Sequence, residues 1–221
     1  MSLNDWVGAP PPNLPEISGN YVTLRPYDAA RDTDALYEAI CGADDQDLWT
    51  YIPFHMPDSA STLSGALMSA GKERGWQSHS IYACGNSKPL GMASYMRIRP
   101  EHGSAEVGCI VFSKALQRTH MATEAIYLMI KHAFDDLGYR RFEWKCDNDN
   151  EASKRAAKRF GFTFEGIFRN DLVVKGRNRD TAWFSIIDRE WPIIKAGFER
   201  WLDLNNFDEK GTQKQRLRFD P

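Results

Sequence analysis

Leu116-Gln117-Arg118-Thr119-His120-Met121-Ala122-Thr123-Glu124-Ala125 joins two segments of different habit. Before it, Val107 to Phe112 reads as a short apolar strand. After it, Ala122, Ala125, Ile126, Met129, Ile130, Ala133, Phe134 and Leu137 recur at three-to-four spacing, the mark of an amphipathic helix. Gly138 closes that helix in the usual way. A strand that feeds a turn of backbone amides and then a helix start is suited to holding a pyrophosphate. The first helical turn has N–H groups without partners inside the helix, and the helix dipole places partial positive charge there.

Downstream, Arg141 to Cys146 reads as a strand and Glu151 to Phe160 as a helix that stops at Gly161. Strand, helix, strand implies a parallel pair with a right-handed crossover. Upstream, His79 to Cys84, Pro89 to Arg97 and Ser104 to Phe112 are separated by short turns and predict an antiparallel meander. Tyr21 to Arg25 is a first strand stopped by Pro26, followed by helices over Asp32 to Cys41 and Ser59 to Lys72. Phe162 to Phe168 and Thr181 to Ile187 are the last strands. Arg189 to Leu204 is a C-terminal amphipathic helix. The fold class is therefore α+β with a mixed sheet.

Residues 1–20, with Pro10, Pro11, Pro12 and Pro15, read as an extended arm that Trp6 either docks or leaves in solvent. Residues 21–204 read as a single domain, and 205–221 as a polar, loose tail. At 221 residues, 42% hydrophobic and 26% charged, the chain is an ordinary globule. A formal net charge of −2 argues against a general nucleic-acid binder. No apolar run approaches the ~20 residues of a membrane span. Cys41, Cys84, Cys109 and Cys146 lack metal or redox spacing and read as free, mostly buried thiols of a cytoplasmic protein. No metal is expected.

Gln117-x-x-His120-x-Ala122 resembles the acyl-CoA signature Q/R-x-x-G-x-G/A of the GNAT superfamily of N-acetyltransferases. Ala122-Thr123-Glu124-Ala125 resembles the branch that includes the RimJ/RimL-type enzymes. Asn150-x-x-Ser153, followed by Lys158-Arg159-Phe160-Gly161-Phe162, resembles that branch's N-x-x-S helix and the strand after it. The likeness runs from about Tyr21 to Pro192. It implies the GNAT-like acyl-CoA N-acyltransferase fold: a mostly antiparallel twisted sheet with a splayed parallel central pair and helices on both faces.

The resemblance also implies a reaction, in which an amine attacks the thioester of acetyl-CoA directly. The pyrophosphate would rest on N–H groups of Arg118, Thr119, His120, Met121, Ala122 and Thr123, beside Gln117. The pantetheine arm would bond the backbone of Cys109, Ile110 and Val111. One of those N–H groups would polarise the acetyl carbonyl, a contact worth about 2.7–4 kcal/mol in the transition state. Asn150 would touch the cofactor and Ser153 would protonate the departing thiolate. Many members use a Tyr four residues after that serine; here the position is Ala157. Both Asn150 and Ser153 are also ordinary helix-starting residues. Trp49, Tyr51, Phe54 and His55 would line the acceptor side, or else form a satellite core under a loop.

Glu106 is the best candidate base, unless it is a solvent-facing or ion-paired strand residue; His102 in the next turn is a weaker one. An α-amine, roughly a seventh neutral at pH 7, needs less help than a lysine, of which roughly one in 2,500 is neutral. The RimJ/RimL resemblance implies a protein N-terminus as acceptor, a small-molecule amine being the alternative, and a homodimer is an open partner. His120 stands where the family usually has Gly, which suits close approach and positive φ. Either the loop keeps a conformation open to His, or cofactor binding is weakened. The second case would leave a catalytically weak or inactive acyl-CoA-binding or sensor protein on the same fold. Lys175 to Asp180 reads as a basic turn, either a solvated hairpin tip or a contact for phosphate or acidic substrate.

Overall fold

The computed structural model describes residues 3–12, 16–209 and 211–219. Pro15 of the expected arm lies outside them. Eight strands form one sheet in the order β1-β2-β3-β4-β5-β6-β8-β7. Their ranges are β1 Ile17–Ser18, β2 Val22–Pro26, β3 Gln77–Ala83, β4 Pro89–Arg99, β5 Ser104–Phe112, β6 Arg141–Asp147, β7 Thr163–Val174 and β8 Arg177–Ile187. The helices are α1 Ala29–Ile40, α2 Ala60–Arg74, α3 His120–Lys131, α4 Glu151–Arg159 and α5 Trp191–Leu202. All pairings are antiparallel except β5 with β6. This is the mixed α+β architecture expected from the sequence.

Four of the five helices, α1 to α4, begin where the sequence supplies a cap, whereas α5 starts without one. Asp28, Ser59, Thr119 and Asn150 accept from the N–H groups of Arg31, Thr62, Ala122 and Ser153. α3 does not stop at Lys131. It continues through one π-helical turn over His132–Asp136 before Gly138 takes φ 66°. Two apolar layers result. Leu36, Ile40, Leu63 and Leu67 of α1 and α2 cover one part of the sheet with Met92 and Val111. α3 and α5 build the larger core with Phe142, Phe184 and Phe198.

The feature that shapes the site is a wedge in the middle of the sheet. β5 and β6 pair only from Ser104–Val107 to Arg141–Trp144. Beyond that point β5 bonds only β4, and β6 bonds only β8. A β-bulge at Cys109–Ile110, with Cys109 at φ 47°, bends β5 away from its parallel neighbour.

Trp6 and the described part of the tail are both docked on the body. Trp6 donates its indole N–H to Glu101 O at 2.8 Å, lies against Gly103, and carries the Arg140 guanidinium 5.6 Å from its ring. The tail, expected to be loose, packs back on the body through Phe207 and Phe219. Its polar composition hid a few aromatics that find partners distant in sequence. The expected basic turn is also smaller, since only Lys175-Gly176 turns and Arg177 to Asp180 already belong to β8. The Lys175 ammonium is not left to solvent: it donates to Trp49 O at 2.6 Å, tying the hairpin tip to the loop before α2. All four cysteines are free thiols, and only Cys84 is exposed. Among the described residues no helix is long and apolar enough to cross a membrane.

Candidate active site

The wedge opens into a cleft of about 1030 Å³. One wall is β5, with Glu106, Gly108, Cys109 and Ile110. The opposite wall is the end of β6 and the start of α4, with Trp144, Lys145, Asn150 and Ser153. The turn Gln117–Thr119 and the start of α3 close one end. The backbone of β5 beyond Val107 therefore faces open space where a neighbouring strand would normally bond it.

The amide turn has a defined geometry. Thr119 Oγ1 accepts from Ala122 N at 3.1 Å and donates to Leu116 O at 2.7 Å. Within the described residues no hydrogen bond uses the N–H of Arg118, Thr119, His120 or Met121. These donors lie at the positive end of α3, an arrangement suited to an anion. The left-handed conformation falls on Arg118, at φ 61°, and not on His120. His120 is the first helical residue. Its ring lies between Tyr21 at 4.3 Å and Phe207 at 5.0 Å. Burial lowers its pKa, with Glu124 opposing.

Of the expected cofactor residues, Cys109, Ile110, Gln117, Arg118, Thr119, His120, Ala122, Thr123 and Asn150 line this cleft. Val111 turns its side chain into the smaller core, and Met121 packs against the larger one. On the acceptor side only Tyr51 reaches the cleft, where its hydroxyl donates to Asp149 O at 3.2 Å. Trp49 is 1% exposed and donates its indole N–H to Ile40 O. Phe54 packs on Trp49 at 5.6 Å, and His55 is exposed away from the cleft. His102 pairs with Glu101 at 3.7 Å and lines a separate cavity of about 800 Å³.

Glu106 is 3% exposed, with Lys145 Nζ at 3.0 Å and Arg97 Nε at 3.8 Å. Burial lifts its pKa above the ordinary carboxylate range, the Lys145 ammonium pulls the other way, and Glu143 adds to the rise. Glu143 stands opposite it across the parallel pair, held by Arg97, Arg99 and Arg141. Ser153 is oriented from two sides. Its N–H donates to Asn150 Oδ1 at 3.0 Å, and its hydroxyl oxygen accepts from the Trp144 indole at 2.9 Å. The indole occupies an acceptor site on that oxygen, and the hydroxyl also has the Cys146 sulfur as a neighbour, on whose pKa it acts against burial. Ser153 is thus held by the Asn150 cap and also lines the cleft.

Sequence reasoning missed Trp144, Lys145, Leu172, Arg179, Phe207 and Gln213, all of which line the cleft. For Trp144 and Lys145 a signal existed, since the parallel pair puts the end of β6 beside the end of β5. Nothing local pointed to Phe207 or Gln213.

A family model described as the acetyltransferase (GNAT) domain matches residues 22–163. A GCN5-related N-acetyltransferase from Brucella melitensis has a crystal structure that superposes with TM-score 0.91, at 40% identity over 96% of each chain. A probable GNAT-family acetyltransferase from Chromobacterium violaceum ATCC 12472 superposes with TM-score 0.80, at 38% identity over 87% of this chain and 96% of that one. The provisionally named ribosomal N-acetyltransferase YdaF of Bacillus subtilis (strain 168) is 31% identical over 101 residues, 46% of this chain. That alignment spans 55% of YdaF, about half the length of this curated relative. The chain belongs to the GNAT acetyltransferase family.

Proposed function

We propose that the chain is an acetyl-CoA-dependent N-acetyltransferase that moves the acetyl group to a primary amine by direct attack on the thioester. The observation that carries this is the wedge: an open β5 backbone edge leads into a turn of unpartnered amides at the head of α3. An extended amide-bearing arm fits the first, and a diphosphate fits the second. When bound, the cofactor supplies an activated acetyl group and a thiol leaving group.

The remaining work falls to this chain. The backbone of Cys109 and Ile110 offers the donor for the acetyl oxygen. Glu106, buried beside the cleft, takes the proton that the ammonium form must lose, directly or through water. Ser153, its oxygen fixed by Trp144, donates to the sulfur. A thiol of pKa ~8.5 needs only modest help to depart. Ala157, fully buried in the core, supplies no proton donor at the position where many relatives have Tyr.

The reading of a weak or inactive binding protein rests on Ala157 in place of the Tyr and on His120 in place of Gly. The second motive loses force when the positive φ falls on Arg118 and His120 sits in ordinary helical backbone. For the acceptor, an N-terminal α-amine comes first. It demands the least base strength, and the name of YdaF points to a protein substrate.

The test is a thermal-shift titration with acetyl-CoA, followed by thiol release across peptides with free N-termini, lysine side chains and small amines. At a hundred times its dissociation constant the cofactor stabilises the fold by about 2.7 kcal/mol. A shift together with acceptor-dependent thiol release is expected. No shift at millimolar acetyl-CoA overturns the cofactor assignment. A shift without release for any amine overturns the transferase and restores the sensor.

A further inference from the structure

Part of the cleft lining comes from Phe207 and from Gly211 to Gln213, downstream of the stretch matched by the family model. α5 ends at Leu202 and the chain doubles back through a 3-10 turn at Leu204–Asn206, after which Phe207 bridges Gln213. Asn206 fastens this reversal. Its Nδ2 donates to Trp201 O at 2.7 Å, its Oδ1 accepts from Gln215 N at 2.9 Å, and its carbonyl accepts from Lys214 N at 2.7 Å. Trp201 Nε1 donates to Gln213 Oε1 at 2.8 Å. The Phe207 ring stands edge-on to Trp201 at 5.0 Å and meets His120 at 5.0 Å. The segment is thus seated against the first turn of α3, and Phe207, Gly211, Thr212 and Gln213 face the cleft.

We infer that this C-terminal segment is a binding element for the nucleotide end of the acyl-CoA, with Phe207 and Gln213 as its contacts. The inference rests on the acyl-CoA reading of the cleft. The acyl end is assigned to Glu106 and Ser153 and the diphosphate to the amide turn. The nucleoside then falls beyond that turn, on the side where the tail is seated. The chemistry there suits a phosphorylated purine. The half-buried Phe207 ring offers apolar surface, and the Gln213 amide, whose oxygen holds Trp201, offers its N–H donors. Arg155 and Arg159 line the same cleft. Arg159 carries its charge 4.9 Å from the Trp201 ring and donates to Thr123 Oγ1 at 3.0 Å.

The segment can be unseated from outside the cleft. Phe219 and the Arg218 carbonyl press on Gly197 of α5, and a Cβ there would lie 2.6 Å from the Phe219 ring. Gly197→Ala therefore displaces the tail without altering a cleft residue, and Phe207→Ala removes the contact itself. Calorimetry would compare acetyl-CoA with S-acetylpantetheine, which lacks the nucleotide. Both variants should weaken acetyl-CoA about tenfold, the scale of one aromatic contact, and leave S-acetylpantetheine affinity unchanged. Equal losses for both ligands, no loss for either, or tighter acetyl-CoA binding would each overturn the inference. If Gly197→Ala does not fold, Phe207→Ala decides alone. Wild-type protein that binds acetyl-CoA while both variants match it sinks only this inference. Wild-type protein that does not bind acetyl-CoA sinks the acyl-CoA reading and this inference with it.

Discussion

Glu106 and Glu143 face each other across the parallel pair, both nearly dry, with Arg97 within 4 Å of each. Two such carboxylates cannot be treated alike. Glu143 has three arginines around it, whereas Glu106 has Lys145 and the longer contact to Arg97. Glu106 is the one on the cleft, and burial raises its pKa, which improves it as a base near neutral pH. A base acts in its ionised form, so turnover should fall as pH drops through that raised pKa. Glu106→Gln keeps the shape and removes the proposed base, and should lower kcat by about a hundredfold or more while acetyl-CoA affinity stays near wild type. Steady-state kinetics beside calorimetry checks this; unchanged kcat would remove Glu106 from the mechanism. Ser153→Ala should cost less, about tenfold in kcat, because the thiolate is already a fair leaving group. A Ser153→Ala variant as slow as Glu106→Gln in the same assay would mean that thiolate departure is limiting.

At the scale of elements, α3 holds more than the anion turn. Glu124, 2% exposed, accepts from the backbone N–H groups of Asn20, Tyr21 and Val22 at 2.8, 2.7 and 2.8 Å. One carboxylate thus fastens the start of β2 to the helix that carries the amide turn. Glu124→Ala would strand three amides in a mostly dry place, and should lower unfolding free energy by about 3 kcal/mol in urea titrations. Gly19→Ala attacks the same clamp from the other side, since a Cβ there would lie 2.6 Å from Glu124 Oε1. A loss under about 1 kcal/mol for Glu124→Ala would show that water replaces the carboxylate. The sequence made the meander, the crossover and the amide turn legible because strand alternation, helix spacing and caps are local signals. It could not reveal the Glu124 clamp, the Asn206 staple or the seating of Phe207, which depend on partners distant in sequence. The aromatic run Trp49 to His55 misled for a related reason. Composition placed aromatics beside the cleft, but the Trp49 indole found a carbonyl in α1 and turned inward with Phe54.

For the whole molecule, acid is the stress that the core is least prepared for. His79, on β3, is 2% exposed and edge-on to Tyr95 at 5.8 Å, with its Nδ1 lacking a partner among the described residues. Burial pushes its pKa from the usual 6.5 to about 4, and nearby His132 adds to the fall. Between those two values the unfolded chain binds a proton that the folded chain refuses. Stability must therefore decline as pH falls from about 6.5 to about 4, by roughly 3 kcal/mol from this group, and is fully present above that window. Asp32 extends the trend at lower pH. Burial alone would raise it, but bonds from Arg31, Tyr82, Asp28 N and Ser80 hold its carboxyl below the ordinary range. Its contribution is present above the unfolded value near 3.9 and is lost as pH falls through the folded one. The two groups act in adjoining windows, so they can be separated. Urea titrations of wild type across pH 7 to 4 should give a falling stability, and His79→Gln, lower at pH 7, should give a flatter curve. Parallel curves for the two proteins would mean that His79 takes its proton in the folded state, and that the acid loss comes from the carboxylates.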